Sequence, residues 1–440
     1  MTTTSAPNPN PTSAGVSASP DESDFVSELT WRGLYAQCSD EEGLRAHLKG
    51  GIRKAYVGLD PTADSLTIGN LCTLTMLAHF QRSGHQPVVL AGGGTGLIGD
   101  PGGKSTERPL LPIETIRANV QSQLRIYDRL LPGAVIVNNA DWLAELSYVH
   151  VLRDVGKHFS INEMIRRDVV RTRLDADGIS YTEFSYMVLQ AYDFAHLYRT
   201  LGVTLQMGGS DQWGNIVSGV DLIRRTEGGH AFALTCPLLT KADGTKFGKS
   251  ESGAVWLTAD RTSPYAFHQF WLNADDSDIE RFLKVFSFRS QGEITELLRE
   301  GVSDPGRRIA QRALADELTI RLHGAEALQR TDAVAKALFT GDVRALDAQT
   351  LQEVFADVPS TVMNRSNLDG KDIVTLLVEA GVAPSNRQAR EWLTAGSISV
   401  NGERVGADHT MTSGDVLAGD LTLVRRGKKT WSAIRWSDTP

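Results

Sequence analysis

Two lysines three residues apart lie in the glycine-containing stretch Lys246-Phe-Gly-Lys-Ser250. Lys246 and Lys249 could close over the β- and γ-phosphates of a nucleotide and stabilise the charge that develops as pyrophosphate leaves. The glycine suits a loop that tightens only in the transition state. An isolated lysine pair at this spacing is usually solvated surface, so its interpretation depends on what the rest of the chain supplies.

A strand followed by a turn and a helix gives the second feature, in the stretch from Tyr56 to Asn70. The turn falls at Asp60-Pro61, and the helix begins near Thr67. The free N–H groups and partial positive charge of a helix start suit a triphosphate. Gly69 in the first turn, like Gly58 at the strand end, leaves room for a flat base to approach. An ordinary strand-to-helix turn is the alternative.

A polar stripe follows the helix that Ser180-Tyr-Thr-Glu183 opens, a sequence that resembles a capping box. Tyr186, Gln190 and Asp193 are spaced by four and then three residues, so they share one face. A phenol, an amide and a carboxylate there form a hydrogen-bonding wall. A solvated face is the alternative, but apolar neighbours such as Phe194 are poorly suited to open solvent.

Two glycine-rich stretches supply further polar groups. In Gln206-Met-Gly-Gly-Ser-Asp-Gln-Trp-Gly-Asn215, Asp211 could bond a ribose hydroxyl, and Gln206 and Gln212 could hydrogen-bond a polar ligand. In Leu97-Ile-Gly-Asp-Pro-Gly-Gly-Lys104 the glycines would let backbone approach a ligand. Lys104 and Arg108 could reach pyrophosphate, and a charged surface loop is the alternative for these two.

The elements that must position these groups alternate between strand and helix. Lys54–Asp60 and Pro87–Ala91 read as buried strands, and Leu66–Phe80 between them reads as a helix. Strand, glycine-rich loop and helix in repeated order predict an α/β fold with an open parallel sheet. Ligands bind such sheets at the carboxyl ends of the strands. We therefore expect a Rossmann-like, parallel-sheet catalytic domain.

Several of these stretches resemble the tyrosyl family of class I aminoacyl-tRNA synthetases. The resemblance runs from Phe25 to Trp436, and its motifs occur in the family's order. The motifs are the opening stretch 58–70, the substrate helix 185–193, the highly specific string 206–215, and 246–250, which corresponds to the class signature Lys-Met-Ser-Lys-Ser.

The chain departs from the family at the start of the first motif helix. The family has His-Ile-Gly-His, whereas this sequence has Thr67-Ile-Gly-Asn70. In the family these histidines help to bind the ATP phosphates and to stabilise the transition state. Thr67 and Asn70 can still donate hydrogen bonds, but neither carries positive charge. Loss of a charge-assisted donor costs about 1.5–3 kcal/mol, or roughly ten- to a hundredfold in rate.

The resemblance implies that L-tyrosine is activated with ATP to tyrosyl-adenylate and then transferred to the 3′-terminal adenosine of tRNA(Tyr). By it, Asp193 and Tyr56 bind the tyrosine hydroxyl, while Tyr186, Gln190 and Asp100 hold the ammonium group. The tyrosine-binding set is Tyr56, Asp100, Tyr186, Gln190, Asp193, Gln206 and Gln212. The catalytic set is Thr62, Thr67, Asn70, Lys104, Arg108, Lys246 and Lys249. The ATP-binding set is Gly58, Asp60, Gly69, Thr73, Gly209, Asp211, Lys249 and Ser250. We expect Mg²⁺ to enter with ATP and no metal site in the protein.

The C-terminal part of the chain points to RNA. Pro384–Arg404 resembles a small RNA-binding module shared by a ribosomal protein, pseudouridine synthases and these synthetases. Arg425-Arg-Gly-Lys-Lys429 is a concentrated basic turn suited to phosphate contact, and a solvated loop is the alternative. The predicted RNA-binding residues are Arg387, Arg390, Arg425, Arg426, Lys428 and Lys429.

Composition and spacing divide the chain and limit its class. We predict a disordered tail over 1–24, the catalytic domain over 25–262, an α-helical anticodon-side domain over 263–340, a linker over 341–368 and a small α+β RNA-binding domain over 369–440. No run of about 18 apolar residues occurs, so no membrane partner is expected. Cys38, Cys72 and Cys236 form no CxxC pair, which fits a reducing cytoplasm. A net charge of −8 leaves RNA binding to local patches.

The family is usually a homodimer whose tRNA spans both subunits, so we expect a homodimer. Three alternatives stay open. A tryptophanyl enzyme is the nearest, but Asp193 and Tyr56 favour a phenol. A catalytically weak, RNA-binding paralogue is favoured by Thr67 and Asn70 and opposed by the intact 246–250 loop. An adenylating enzyme with another carrier is opposed by the RNA-binding terminus.

Overall fold

A six-stranded sheet forms the centre of the N-terminal half of the computed structural model. The structure describes residues 24–102, 110–175, 178–240, 242, 244, 247–250, 253–355, 358–427 and 430–438, with only the backbone described for 168, 169, 249, 250 and 353. The sheet's strands are β1 (Gln37–Cys38), β2 (Lys54–Leu59), β3 (Gln86–Ala91), β4 (Val135–Asn138), β5 (Val203–Gly209) and β6 (Phe232–Cys236). Their order is β1-β6-β5-β2-β3-β4, and all neighbours are parallel except β1 and β6. The predicted α/β fold with a Rossmann-like parallel sheet is confirmed.

Helices surround this sheet. They are α1 (Phe25–Trp31), α2 (Glu41–Lys49), α3 (Ile68–Arg82), α4 (Ile113–Leu130), α5 (Ala140–Leu143), α6 (Tyr148–His150), α7 (Ile161–Ile165), α8 (Asp168–Leu174), α9 (Tyr181–Leu201) and α10 (Trp213–Glu227). α3 is buried along most of its length, as its apolar sequence requires. Because β2 and β5 are neighbours and both run parallel, the loops that follow them meet at one edge of the sheet.

The start of α9 is fixed by two polar contacts. Ser180 Oγ accepts from the Glu183 N–H at 3.2 Å, as in the predicted capping box. The Glu183 carboxylate turns instead to Arg173, which donates to it from two nitrogens at 3.0 and 2.8 Å. Both side chains are buried, so the bidentate pair ties α8 to the first turn of α9.

Five helices follow the sheet: α11 (Pro264–Leu272), α12 (Asp276–Phe286), α13 (Gln291–Ser303), α14 (Ile309–His323) and α15 (Ala325–Thr340). Between them and the sheet, Lys249–Ser250 (β7) pairs antiparallel with Gly253–Ala254 (β8). Trp271 on α11 and Phe282 and Phe286 on α12 are buried in the same apolar cluster as the sheet residues. The helical part therefore shares one continuous core with the six-stranded sheet.

A second sheet lies in the C-terminal part. Its strands are β9 (Ser360–Asn364), β10 (Ile398–Val400), β11 (Glu403–Arg404), β12 (Leu421–Arg426) and β13 (Thr430–Ser437), and its helices are α17 (Ile373–Glu379) and α18 (Asn386–Thr394). The order is β11-β10-β12-β13-β9, with only β13 and β9 parallel. This small α+β unit confirms the last part of the predicted fold class.

Residues 341–368, predicted to be a linker, contain folded structure. Helix α16 (Ala348–Val354) lies there, and so does β9, the edge strand of the C-terminal sheet. Val343, Leu351 and Phe355 are buried against this sheet. Leu351 and Phe355 are four residues apart, the spacing of one helix face. Two apolar residues among polar neighbours are too short a pattern to predict a helix from the sequence.

No helix in the described ranges is both long and apolar enough to cross a membrane.

Candidate functional site

A buried carboxylate lies at the inner end of the site. Asp193, on α9, is 1% exposed. Its two oxygens accept from Trp142 Nε1 at 2.7 Å and from Asn139 Nδ2 at 2.9 Å. Burial raises the pKa of Asp193 to about 7, although both hydrogen bonds favour the charged form. The carboxylate is thus fixed in position by donors on its two oxygens.

Asn139 and Trp142, which donate to Asp193, were not identified from the sequence. Asn139 follows β4 directly and is completely buried. Its Oδ1 accepts from the Gly94 N–H at 2.7 Å, so the loop after β3 orients the amide that donates to Asp193. The sequence offered one indication of this role for Asn139, namely its position just after a strand. Polar residues at the carboxyl ends of parallel strands lie at the same edge of the sheet.

Tyr56, in the middle of β2, presents a buried phenol. Its hydroxyl has no hydrogen-bond partner within the described residues. Burial raises the pKa of Tyr56 well above its usual value, and the neighbouring negative charge of Asp193 raises it further. Gln206 on β5 is also buried, and its Oε1 lacks a partner in the described part of the chain. Unpaired buried polar groups cost free energy unless a ligand satisfies them.

A second carboxylate, Asp60 at the end of β2, binds two hydroxyls. Tyr186 on α9 donates to Asp60 Oδ2 at 2.8 Å, and Thr95 donates to Asp60 Oδ1 at 2.7 Å. A Cβ on Gly92 would lie 2.1 Å from Asp60 Oδ1, so any side chain there would displace this carboxylate. The structure therefore bonds a predicted tyrosine-binding residue, Tyr186, directly to a predicted ATP-binding residue, Asp60, whose other oxygen accepts from Thr95, a residue not identified from the sequence.

A chain of amides connects the remaining predicted tyrosine-binding residues. Gln212 Nε2 donates to Asp100 Oδ2 at 2.6 Å and to Asp211 Oδ2 at 3.1 Å. Gln190 Nε2 donates to Gln212 Oε1 at 3.4 Å, and Asn215, not predicted, donates to Gln190 Oε1 at 3.0 Å. Carboxylate and amide oxygens converge here, an environment that suits an ammonium group.

The first turn of α3 carries the residues that replace the family's histidines. The backbone N–H and Oγ1 of Thr67 both donate to Asn70 Oδ1 at 3.0 Å. Thr73 Oγ1 donates to the Asn70 carbonyl at 3.0 Å, and Gly69 is exposed in this turn. Thr62 is also exposed, and its backbone N–H donates to the Asp60 carbonyl at 2.9 Å. Thr67 and Asn70 thus hold each other at the helix start.

The start of α3 and the lysine-containing stretch 246–250 are in backbone contact. The Ile68 N–H donates to the Val255 carbonyl at 3.0 Å, and the Val255 N–H donates to the Gly248 carbonyl at 3.1 Å. Gly248 has φ +91°, and a Cβ on it would lie 3.2 Å from Ile68 Cγ1 and 3.6 Å from the Gly69 nitrogen. The backbone of the lysine loop therefore lies against the first turn of α3.

An aromatic side chain anchors that loop. Phe247 is buried, with ring centroids of Trp271, Phe282 and Phe286 at 5.9, 4.9 and 5.5 Å. The loop is thereby attached to α11 and α12, two helices of the helical part.

Some of the other predicted site residues lie within the described part of the chain, and others lie outside it. Gly58 lies on β2 and Gly209 at the end of β5. Lys104, Arg108, Lys246, Lys428 and Lys429 lie outside the described residues, and Lys249 and Ser250 are described only as backbone of β7. Arg387 and Arg390 are exposed on α18, Arg426 is exposed at the end of β12, and Arg425 beside it is half-buried. No cluster of three His, Cys, Asp or Glu in the described ranges could hold a metal.

Comparison with known proteins agrees with this geometry. Residues 50–340 match the family model of class I tRNA synthetases (W and Y), and residues 350–434 match that of the tyrosine–tRNA ligase SYY-like C-terminal domain. The tyrosine–tRNA ligase of Geobacillus kaustophilus (strain HTA426) is 51% identical over 424 residues, which cover 94% of this chain and 100% of that protein. Tyrosine–tRNA ligase 2 of Enterococcus faecalis (strain ATCC 700802 / V583) is 48% identical over 422 residues, covering 94% and 99%.

Among solved structures, the C-terminally truncated mitochondrial tyrosyl-tRNA synthetase of Aspergillus nidulans superposes with a TM-score of 0.65 at 30% identity, covering 72% of this chain and 94% of that one. These matches define an enzyme of the class I aminoacyl-tRNA synthetases. Within that class, the chain belongs to the bacterial-type tyrosyl-tRNA synthetases, the tyrosine–tRNA ligases. The family expected from the sequence motifs is confirmed.

Proposed function

We propose that this chain selects L-tyrosine through a buried pair, Tyr56 and Asp193, and activates it with ATP before transfer to tRNA(Tyr). The observation that carries the proposal is the unpaired Tyr56 hydroxyl beside a carboxylate that Asn139 and Trp142 fix in position. A substrate phenol can donate to Asp193 and bond Tyr56. Phenylalanine would leave the buried Tyr56 hydroxyl unpaired and would give Asp193 no further donor, and an unsatisfied buried group costs about 1–3 kcal/mol.

The rest of tyrosine is oriented by the groups around Asp60 and Gln212. The substrate ammonium group binds among Tyr186, Gln190 and Asp100; Tyr186 is bonded to Asp60, while Gln190 and Asp100 are both bonded to Gln212. The tyrosine carboxylate then faces the nucleotide. Its oxygen forms a bond to the α-phosphorus of ATP while the bond from that phosphorus to the pyrophosphate oxygen breaks. No protein nucleophile is needed, because catalysis consists of positioning and of neutralising charge.

The nucleotide is held between the start of α3 and the loop after β5. The positive end of the α3 dipole, with Thr67 and Asn70, faces the phosphates, and Asp211 bonds the ribose. Lys104, Arg108, Lys246 and Lys249 neutralise the departing pyrophosphate. Mg²⁺ enters bound to the ATP phosphates, as is common for this ion.

For transfer of the tyrosyl group, the C-terminal part of the chain binds tRNA. Arg387 and Arg390 are exposed on one turn of α18, and Arg426 is exposed beside the same helix, its guanidinium 4.4 Å from the Trp392 ring. This arrangement supports phosphate contact on one face of the module. The cytoplasm is the proposed compartment, and the free Cys72 and Cys236 are compatible with reducing conditions.

We further propose that the chain works as a homodimer that contacts its copy through segment 148–181. This segment exposes large apolar side chains, and the hydroxyls of Tyr148 and Tyr181 lie 3.0 Å apart across it. The exposed members are Tyr148, Val149, Leu152, Ile161, Ile165, Leu174 and Tyr181. Exposed apolar side chains concentrated in one segment indicate an interaction surface. Light scattering should give a dimer for the native chain and a monomer for Tyr181→Asp; a monomeric native chain would refute this part.

The main test is tyrosine-dependent ATP–pyrophosphate exchange, with tryptophan and phenylalanine as controls. We expect exchange with tyrosine alone. Exchange with tryptophan would refute the proposed selection by Tyr56 and Asp193. No exchange with any of the three, from folded protein that still binds tRNA, would overturn the activation proposal in favour of an RNA-binding paralogue.

A further inference from the structure

The two arginines of the basic turn, Arg425 and Arg426, lie on opposite faces of the C-terminal sheet. Side chains alternate along a strand, so Arg425 shares a face of β12 with Leu423, and Arg426 shares the other with Val424. Leu423 is packed against Val343 and other residues of the segment after α15. Val424 belongs instead to the cluster beneath α17 and α18. The strand thus presents one arginine to the helical part and the other to α18.

Arg425 makes its contacts at the end of α15. Its Nη1 donates to the Leu338 carbonyl at 3.3 Å, and its guanidinium lies 5.1 Å from the ring of Trp431, its cross-strand neighbour. A Cβ on Gly341 would lie 2.7 Å from Arg425 Nη2. A cation at a helix C-terminus interacts favourably with the helix dipole. The guanidinium therefore covers the last turn of α15.

The backbones of the two parts touch at the same place. Gly402, in the turn between β10 and β11, approaches so closely that a Cβ on it would lie 1.5 Å from the Gly341 carbonyl oxygen. Arg344 adds a bond from Nη1 to the Gly414 carbonyl at 3.2 Å and an ion pair with Glu403 at 3.4 Å. Arg425 is thus one part of a built contact between α15 and the C-terminal sheet.

Arg426 has the opposite environment. It is exposed and stacks on Trp392 of α18, the helix that carries the exposed Arg387 and Arg390. Its charge therefore lies on the same side as theirs, whereas the guanidinium of Arg425 is occupied at α15.

We propose that Arg425 is a positioning residue that fixes the C-terminal module on α15, while Arg426 contacts tRNA phosphate. The inference rests on the proposed binding of tRNA by this module. Arg425 was expected to bind RNA, but its guanidinium donates to the Leu338 carbonyl and lies over the Trp431 ring. Lysine supplies the same charge but neither the fork nor the stacking surface.

The experiment compares Arg425→Lys and Arg425→Gln with the matched variants Arg426→Lys and Arg426→Gln. Both Arg425 variants should raise the KM for tRNA about ten-fold with little change in kcat, because the guanidinium bonds are lost in each. Tyrosine-dependent ATP–pyrophosphate exchange, which involves no tRNA, should be unchanged in both Arg425 variants. Arg426→Lys should retain near-native KM, and Arg426→Gln should lower the slope of log KM against log salt by about one.

A second readout needs no tRNA. Trypsin cleavage after Arg344 requires local opening of the contact, so it should be about ten-fold faster in both Arg425 variants and unchanged in both Arg426 variants. Gly402→Ala, which alters no charge, should also raise the tRNA KM and speed this cleavage. A native KM in Arg425→Lys, or native cleavage in Arg425→Gln, would overturn the positioning role.

Failure of the proposed tRNA contact gives a different result. In that case Arg426→Gln leaves the KM and its salt dependence unchanged, while the cleavage rates of the Arg425 variants still decide whether Arg425 fixes the module.

Discussion

Thr67 and Asn70 hydrogen-bond to each other at the start of α3, with the backbone N–H and Oγ1 of Thr67 both donating to Asn70 Oδ1 at 3.0 Å. The bonds use the oxygen of the Asn70 amide and leave its nitrogen as a donor, for which the described residues provide no acceptor. The pair therefore combines a structural contact with a neutral donor where the resembling family has a histidine.

Asn70→Asp separates these two roles. The carboxylate still accepts from Thr67 and adds negative charge at a helix N-terminus, so the thermal midpoint should stay equal or rise. The donor is lost and the new charge repels the triphosphate, so kcat/KM for ATP should fall at least about ten-fold. Exchange kinetics and a melting curve measure the two effects. Asn70→His is the control, expected to keep or raise the rate; full activity in Asn70→Asp would show that Asn70 donates nothing to the phosphates.

Tyr56→Phe tests the unpaired hydroxyl of β2. Removal of a buried hydroxyl that lacks a partner should raise the free energy of unfolding by about 1 kcal/mol in the ligand-free protein. The same change should reduce the preference for tyrosine over phenylalanine roughly ten-fold, because one hydrogen bond to the substrate phenol is lost. Urea unfolding and exchange kinetics with both amino acids measure these effects. A fall in stability without tyrosine would mean that the hydroxyl has a partner inside the protein.

The sequence predicted correctly those features that depend only on the spacing of residues within one helix or strand. The polar stripe of Tyr186, Gln190 and Asp193 depends only on helical spacing, and the structure places all three on α9. The buried strand predicted from Lys54 to Asp60 is observed as Lys54–Leu59 for the same reason, since a continuous apolar run marks a strand buried on both faces.

The groups that act across the sheet could not be predicted in this way. Asn139 and Trp142 reach Asp193 from positions 54 and 51 residues away in sequence, and only the strand order brings them together. Thr95 is likewise 35 residues from Asp60, its partner. Arg425 was grouped with Arg426 because they are adjacent in sequence, whereas strand alternation points them to opposite faces.

The pH dependence of tyrosine binding should follow Asp193, whose pKa is raised to about 7 by burial. Both of its oxygens accept from N–H donors, so a proton there would displace a bond that orients the carboxylate. Below pH 7 the KM for tyrosine should therefore rise by up to about ten-fold per pH unit, and above pH 7 it should be level. Asp193→Asn is the control: its KM should be higher at pH 8 and flat over pH 5.5–8.5. A flat native profile would contradict the assignment.

The Asp193 carboxyl should also make the free energy of unfolding fall as the pH rises. Its folded-state pKa lies above its usual value of 3.8, so folding favours the protonated form. The stability that it contributes is fully present below about pH 4 and is lost as pH rises through about 7. Urea unfolding at pH 6 and pH 8 should show a smaller loss of stability with rising pH in Asp193→Asn than in the native chain. An equal loss in both proteins would refute this linkage.

Phe247→Ala tests whether the aromatic cluster positions the lysine loop. Phe247 packs against Phe282 and Phe286, and the adjacent Gly248 lies against Ile68 at the start of α3. Loss of the ring removes the anchor and costs about 3–5 kcal/mol of packing. The kcat for ATP–pyrophosphate exchange should fall more than about ten-fold, because loop groups that stabilise departing pyrophosphate are no longer held in place. The KM for tyrosine should change little, because none of the proposed tyrosine contacts lies in this loop.

Phe247→Met is the matched control, since methionine occupies this place in the class signature and fills irregular apolar gaps. It should keep most of the native kcat and much of the native stability. If Phe247→Ala lowers the melting temperature but leaves kcat native at a temperature where the protein stays folded, the ring stabilises the core without positioning the loop. A selective loss of kcat in Phe247→Ala, recovered in Phe247→Met, is the result that follows if α11 and α12 hold the loop against the nucleotide.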